Sequence, residues 1–335
     1  MDDNAHESQA VAGVPRSTLD RATQIRLADV ARAFYLEGRS KVEIAAEQSV
    51  SRFQIAKMLG DAVKFGIVSI EIRDPRNPIS DLAQRLAVLL AINKVRIAEA
   101  VAGNPVLNSE KLGMALMDEF RDRVKPNSTV GISWSRSLDV ASRFLPDLPA
   151  CDIVQLAGAL EFHGTSFLPR VMAQQSERSG IRTFPITAPL IVDERATALD
   201  LMRQPGIAEA LSRADRLDLA VIAIGAWKQG ESTVWEKVSI ADREAGNAAG
   251  AVAEVGGRLI DSGGHAVHTS LAERTISASV EQLTSTPQVI GIAHGLGRVD
   301  AVIAAAKGGL VNCLVIDSIL AGAILRKLEP LSETV

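Results

Sequence analysis

Several residue types are scarce in this 335-residue chain. Aromatic residues make up 4% of it, and it contains two cysteines and five histidines. Cys151 and Cys313 belong to no C-x-x-C pair, so we interpret them as small buried hydrophobic residues in a reducing compartment. No histidine stands at metal-ligand spacing from a cysteine. The sequence therefore predicts no metal site and no other cofactor.

Long hydrophobic runs are also missing. The longest apolar runs, such as Leu86–Ile92 and Leu219–Trp227, are well below the roughly 18 residues that a membrane span needs. The N-terminus is acidic and polar and lacks the apolar core of a signal peptide. These absences predict a cytoplasmic protein without a membrane partner. Residues 1–20 are predicted to be a flexible tail.

Two helix starts are present between residues 39 and 72. Ser40 with Glu43, and Ser51 with Gln54, each fit the capping box of a helix N-terminus. Two short helices joined by a tight turn are the pattern of a helix-turn-helix, whose second helix enters the DNA major groove. The apolar side chains predicted to pack these helices together are Ile44, Ala45, Val50, Ile55, Met58 and Leu59.

A strand or wing is predicted after these helices. Val68, Ile70 and Ile72 alternate with polar residues behind Gly66, a predicted helix end. Residues 21–73 contain nine Lys or Arg and six Asp or Glu, a net charge of +3, whereas the rest of the chain carries −7. A helical hairpin that merely packs is the alternative, but a basic segment on an acidic protein favours DNA binding.

The segment 21–73 is therefore predicted to be a DNA-binding domain with a recognition helix that begins at Ser51. One such head contacts too few bases for specificity, so we expect a homodimer or homotetramer with paired heads. The residues predicted to contact operator DNA are Ser51, Arg52, Gln54 and Lys57 on the recognition helix, and Arg39 and Ser40 at phosphates.

A linker is predicted at residues 74–80, where two prolines and an asparagine interrupt the helical pattern. Residues 81–330 then predict an effector-binding and oligomerisation domain that starts with a helix carrying Leu82, Leu86 and Leu89 on one stripe. Alternating strands and helices predict an α/β fold with a doubly wound, Rossmann-like, largely parallel sheet, which binds ligands at the carboxyl ends of its strands. The predicted strands are Val95–Val101, Thr129–Ser133, Ile153–Ala157, Pro189–Val192, Leu219–Ile224, Val289–Ala293 and Leu314–Ile316.

Four motifs follow predicted strands. They are GISWSRSL (131–138), VQLAGAL (154–160), GAVAEVGGRLID (250–261) and GIAHGLGRVDAVIAAAKGGLVNCLVIDSILA (291–321). Together with the helix-turn-helix they resemble the SorC family of bacterial transcription regulators, over about residues 20–328. The resemblance implies a sugar-phosphate isomerase-like effector domain in a dimeric or tetrameric regulator of a carbohydrate-catabolic operon. The effector it implies is a sugar, a polyol or a phosphate of either.

The first of these loops runs from Gly131 to Ser137. Free N–H groups at a helix start, together with the hydroxyls of Ser133, Ser135 and Ser137, suit an anion or a polyol. An ordinary turn with serine caps is the alternative. The family more often has W-G-x-T where this chain has Trp134 followed by Ser135, and a Cβ at this place is expected to crowd a phosphate. Arg136 has two interpretations, a group that faces the ligand or a charge on the helix surface, and we favour the second.

A second loop, residues 293–298, repeats this geometry. Arg298 stands where the family usually has lysine and could pair with a phosphate or carboxylate; a salt bridge to Asp300 or to a neighbouring subunit is the alternative. Glu254, at the acidic position of the family's G-A-V-G-D/E pattern, can accept hydrogen bonds from two vicinal hydroxyls. Asp317 could also simply cap the following helix. The other effector candidates at strand ends are Gln155, Gly158, Asp193, Gly225, His294, Gly295 and Asp317.

An isomerase-like enzyme with a helical head is the main alternative function. Such an enzyme needs an acid–base pair or a Schiff-base lysine. The segment 154–166 has no lysine, Lys228 is the only lysine close behind a predicted strand end, and His163 has no evident orienting partner. A DNA-binding scaffold with a vestigial site is a third hypothesis. We favour binding without turnover, and Glu254 and Ser135 favour a polyol or free sugar over a sugar phosphate.

Overall fold

The chain divides into two units, Met1–Asp74 and Pro75–Val335, in a computed structural model. The structure describes residues 20–65, 67–68, 78–160, 169–171 and 180–329. Within these residues, no helix is long and apolar enough to cross a membrane. The sequence predictions that lie outside the described residues concern the tail up to residue 19, Gly66, the wing positions Ile70 and Ile72, linker residues 74–77, and His163.

The helices of the first unit are α1 (Arg21–Tyr35), α2 (Lys41–Glu47) and α3 (Arg52–Lys64). Both predicted capping boxes are confirmed. The backbone N–H of Ser40 donates to Glu43 Oε2 at 2.8 Å, and that of Ser51 donates to Gln54 Oε1 at 2.8 Å. In each box the serine Oγ accepts the N–H of its partner residue. Each of the two short helices thus begins with two backbone donors satisfied by its capping box.

The predicted contact between α2 and α3 is also confirmed. Ile44 and Ile55 are almost completely buried, and Leu27 and Val30 of α1 belong to the same core. The turn between the two helices passes through Ser49 at φ 54°, a left-handed conformation that reverses the chain within a few residues. Three helices therefore share one small apolar core.

The second unit is built around strands. Seven of its described strands form one parallel sheet in the order β1–β10–β9–β5–β2–β3–β4, and β6, β7 and β8 form a small antiparallel sheet. Ile222 faces the apolar core on one side of the large sheet and Val221 the core on the other, so the predicted doubly wound α/β fold is confirmed. The strands are β1 (Lys94–Ala98), β2 (Thr129–Ile132), β3 (Asp152–Gln155), β4 (Arg182–Phe184), β5 (Leu219–Ala223), β6 (Gly225–Ala226), β7 (Ala253–Val255), β8 (Arg258–Ile260), β9 (Val289–Ala293) and β10 (Cys313–Asp317).

Cys151 and Cys313 are buried, as predicted.

Helices cover both faces of the large sheet. The helices are α4 (Pro78–Leu89), α5 (Pro105–Arg123), α6 (Arg136–Ala141), α7 (Arg195–Met202), α8 (Pro205–Arg213), α9 (Thr233–Lys237), α10 (Ile240–Ala248), α11 (Ser270–Glu273), α12 (Val280–Thr284), α13 (Val299–Lys307) and α14 (Ser318–Leu328).

The predicted boundary between the linker and the first helix of this unit is wrong. The linker was expected to extend to residue 80, but α4 begins at Pro78. Proline is favoured at the start of a helix because a backbone N–H there would have no partner within the helix, so nothing is lost when the N–H is absent. Leu86 is fully buried, whereas Leu89 is 37% exposed. The helix ends at Leu89, and Leu90 in the following turn takes the buried position instead.

The predicted strand at Pro189–Val192 is wrong as well. This segment makes only isolated bridges, such as that of Ile191 with Thr275, and it does not join the large sheet. The edge position belongs to β4, whose residues Arg182–Phe184 are exposed or half-buried and carry no apolar run. An edge strand has one unpaired side, so its sequence does not need the continuous hydrophobic pattern of a central strand.

Candidate functional site

The residues predicted to contact DNA have different surroundings in the head. Ser40, Ser51 and Gln54 direct their side-chain oxygens to backbone N–H groups of the two capping boxes. Arg39 forms an ion pair with Glu47, which raises the pKa of the Arg39 guanidinium. The remaining two, Arg52 and Lys57, are exposed on α3.

The carboxyl ends of β2, β5 and β9, which are neighbours in the large sheet, open into one cleft. Loops distant in sequence meet there, as expected for a parallel sheet. Arg136, for which a surface charge is the favoured of two interpretations, is exposed but also lines the rim of the cleft. The predicted effector residues that line it are Trp134, Ser135, Ser137, Gly225, Glu254, His294 and Arg298.

Glu254 on β7 lies at the bottom of this cleft. Its Oε1 accepts the N–H of Gly257 at 2.6 Å, and its Oε2 accepts the hydroxyl of Ser232 at 3.0 Å. Burial raises the pKa of Glu254, while these two hydrogen bonds and the charge of Arg298 oppose the rise. Gly225 makes room for the carboxylate, because a Cβ there would stand 2.9 Å from Glu254 Oε2. Each oxygen retains a lone pair that can accept from a ligand.

Arg298 has a partner inside the cleft. Its Nη1 lies 2.7 Å from Glu231 Oε2 and donates to the carbonyl of His294 at 2.6 Å, and its Nη2 donates to the Glu231 carbonyl at 2.9 Å. The predicted alternative, a salt bridge with Asp300, is wrong, because Asp300 pairs with Lys327. This contact, the Glu231–Arg298 pair, joins the loop after β6 to the loop after β9.

Gly297 allows this pair to form. A Cβ at position 297 would lie 2.0 Å from Glu231 Oε1, so any other residue would displace the Glu231 side chain. His294 stands beside the pair at an exposed position of the cleft; partial desolvation, and then the positive charges of Arg298 and Arg136, lower its pKa. A neutral imidazole at neutral pH can donate one hydrogen bond and accept another.

Two serines of the first loop, Ser133 and Ser135, accept hydrogen bonds from backbone N–H groups of the protein. Ser135 Oγ accepts the N–H of Leu138 at 3.0 Å and caps α6, so the capping alternative holds for this side chain. Ser133 Oγ accepts the N–H of Ala223 at 3.2 Å and ties β2 to β5. The buried Trp134 Nε1, in contrast, has no acceptor among the described residues.

Seven predicted effector residues do not line the cleft; besides Ser133, Gly295 and Asp317 they are Gln155, Gly158, Gly131 and Asp193. Gln155 is occupied by two backbone groups, the Ala157 carbonyl at 2.7 Å and an N–H that donates to its Oε1. A Cβ at Gly158 would meet the Pro189 carbonyl at 2.6 Å, and one at Gly131 would enter the core. Asp193 is exposed before α7. Gln155, Gly158 and Gly131 therefore shape the strand ends rather than present groups to a ligand, whereas Asp193 follows a segment that is not a strand.

Asp317 does cap a helix, and it also supports the second loop. Its Oδ1 accepts the N–H of Leu320 at 2.6 Å at the start of α14, and its Oδ2 accepts the N–H of Gly295 at 2.8 Å. Gly295 has φ 83°, a conformation that favours glycine. Asp317 therefore fixes the turn that carries His294 and Arg298 without lining the cleft itself.

Sequence reasoning missed the loop after β6. Glu231, Ser232 and Thr233 line the cleft, as does Gly256. Ser232 caps α9 by accepting the N–H groups of Val234 and Trp235, and serine before a helix is a readable cap signal. That signal predicts the helix start, but it does not show that the cap also donates to a carboxylate 22 residues away.

Residues 75–326 match the family model Sugar-bind, which describes a sugar-binding domain. The chain belongs to this family. The predicted resemblance to SorC-type transcriptional regulators is thereby confirmed, together with the function of a transcriptional regulator, since curated relatives along nearly the whole chain are regulators.

Two of these SorC-type relatives align with most of the chain. The erythritol catabolism regulatory protein EryD of Brucella abortus is 25% identical over 296 residues, covering 87% of this chain and 93% of EryD. The sorbitol operon regulator of Klebsiella pneumoniae is 24% identical over 325 residues, covering 92% of this chain and 100% of the relative. The full-length crystal structure of that regulator, SorC, superimposes with a TM-score of 0.68 at 22% identity over 92% of this chain and 100% of SorC, which shows the shared fold.

Proposed function

We propose that this protein binds operator DNA through its helical head and represses a carbohydrate or polyol catabolic operon until a neutral polyhydroxylated effector occupies the cleft. The observation that carries the effector class is the Glu231–Arg298 pair, with Nη1 and Oε2 2.7 Å apart. The cation at the family's usual lysine position is already neutralised within the protein. A polyol needs no displacement of Glu231, whereas a phosphate that used Arg298 would have to compete with it.

The polar groups of the cleft also suit hydroxyls. Glu254 accepts, and the neutral imidazole of His294 both donates and accepts. The described residues that line the cleft include no lysine for a Schiff base, which supports binding without turnover.

Calorimetry with matched pairs tests the effector class. The relatives regulate erythritol and sorbitol genes, so the probes are erythritol, sorbitol and the monophosphate of each. We expect the free polyols to bind and Glu254→Ala to weaken binding at least tenfold, or about 1.4 kcal/mol, because buried acceptors for hydroxyls are lost. Arg136→Ala removes an exposed cation at the rim and is expected to leave polyol binding unchanged.

Binding of the phosphates alone would contradict this effector class. Loss of that binding in Arg136→Ala or Arg298→Ala would then identify the cation that holds the phosphate, and the regulator assignment would stand. Chemical conversion of a bound polyol or phosphate, followed by NMR, would instead support the isomerase-like enzyme.

A symmetric assembly is the second part of the proposal, because paired heads match palindromic half-sites and effector binding must change how the subunits pack in order to release DNA. Light scattering of the full chain at micromolar concentration is expected to give the mass of a dimer or tetramer. A monomeric mass both with and without DNA would be incompatible with this mechanism.

A further inference from the structure

One face of α3 is exposed and apolar at its N-terminal end. Phe53 is 87% exposed, although large hydrophobic side chains of a small domain usually find cover in its core. Ile55, Leu59 and Ala62 of the same helix are buried and face the core of the head. Phe53 lies on the opposite side of α3, one residue inside the first turn that the Ser51 capping box fixes.

Helical spacing extends this face along α3. Positions 53, 56, 57, 60 and 64 follow one another at intervals of one, three or four residues and share one side of the helix. Ala56, Lys57, Gly60 and Lys64 are all exposed, as is Arg52 beside them. The exposed residues of α3 thus carry three cations and no carboxylate, which favours a polyanion over a protein partner as the occupant of this face.

The glycine at position 60 also favours a polyanion as the partner of this face of α3. It stands inside a helix, where glycine is less stable than alanine by about 1 kcal/mol. A Cβ at this position would meet nothing within 4 Å, so packing within the protein does not require glycine there. A glycine beside Ala56 leaves the helix backbone open to close approach by a groove wall, and Phe53 then stands where N-terminal recognition-helix residues meet base edges.

We propose that Phe53, assisted by Ala56, reads thymine by contact with its 5-methyl group in the major groove. This inference depends on the proposed DNA-binding role of the head. Phenylalanine and alanine are side chains that contact thymine methyls in direct readout. Arg52 and Lys57 then supply hydrogen bonds and charge on either side, while the aromatic ring covers additional apolar surface on DNA that presents a methyl group.

The test starts from a pool of random-sequence DNA duplexes, from which the full-length protein selects its preferred sites. The selected duplex is then synthesised with each thymine replaced in turn by uracil, which lacks only the methyl group. We expect the wild-type protein to lose about fourfold in affinity at one thymine of each half-site, the equivalent of one buried methyl group. Phe53→Ala is expected to bind the thymine and uracil duplexes equally.

Arg52→Ala is the matched control, because it should weaken binding to the thymine and uracil duplexes by the same factor. If Arg52→Ala and Phe53→Ala both bind as the wild type does, the helical head is not the DNA surface and the proposed function itself fails. If Arg52→Ala binds more weakly but Phe53→Ala keeps the preference for thymine, only the thymine contact is wrong. A change of mass in Phe53→Ala by light scattering, with the preference for thymine retained, would make Phe53 a subunit contact and overturn the inference.

Discussion

Replacing Arg258 with alanine is expected to lower the free energy of unfolding by about 3 kcal/mol, since hydrogen bonds from a charged donor contribute about 1.5–3 kcal/mol each and their losses do not add in full. Its guanidinium donates to four backbone carbonyls, those of Ala272, Thr275, Ser277 and Ala278, at 2.8–3.3 Å. Burial lowers the pKa of the Arg258 guanidinium because it removes water from a charged group. The four carbonyls replace that water and stabilise the buried cation.

Arg258 lies next to the turn that holds Glu254, so its loss is also expected to affect the cleft. Arg258 begins β8, directly after Gly257, whose N–H holds Glu254. The carbonyls it binds belong to a segment that pairs with the end of β3, where Ala278 donates to the Leu156 carbonyl at 2.7 Å. Loss of the guanidinium is therefore expected to weaken the connection between the small sheet and the large one and to loosen the Glu254 turn.

Urea unfolding measures the effect as a lower midpoint at unchanged slope. Arg258→Lys keeps the charge but not the forked donors and should recover less than half of the loss. Arg195→Ala is the matched control: Arg195 is 64% exposed and pairs with Glu273 at 3.3 Å on the surface, which is worth less than about 1 kcal/mol. An unchanged midpoint in Arg258→Ala would mean that water replaces the guanidinium at all four carbonyls.

The head was predictable because its signals are local. A capping box joins residues three apart, so Ser40 with Glu43 and Ser51 with Gln54 can be read from sequence order alone. The buried strands β5, β9 and β10 were predictable for a similar reason, because a central parallel strand is a short continuous apolar run. The same reasoning misassigned Pro189–Val192, where Leu190 is buried and Ile191 half-buried without joining the large sheet.

The candidate site was predictable only in its location. Strand ends and motif resemblance pointed to Glu254, His294 and Arg298, and these do meet in one cleft. The partner of Arg298 was not predictable, because Glu231 is 67 residues away and comes next to it only through the pairing of β5 with β9 and the path of the following loops. Pairwise contacts of that kind depend on the tertiary fold, and they decide which charges remain available to a ligand.

Removing Arg52 and Lys57 together is expected to weaken binding to the duplex selected from the random pool by about 1,000-fold or more, since a dimer loses four contacts and each contact to a base or phosphate is worth at least about 1 kcal/mol. Both side chains are exposed on the face of α3 that carries Phe53, and neither is part of a capping box. The fold should be unaffected, with the same urea midpoint as the wild type.

Salt dependence separates the two kinds of contact that these cations can make. A phosphate contact contributes about 0.9 to the slope of log affinity against log salt, so a dimer that loses four such contacts should show a slope smaller by about 3.6. A base contact instead changes which sequence is selected and leaves the slope nearly constant. Lys125→Ala with Lys307→Ala is the matched control, because it removes the same charge from exposed positions of the second unit. Equal weakening in that control would assign the loss to overall charge, and unweakened binding in Arg52→Ala with Lys57→Ala would move the recognition surface away from α3.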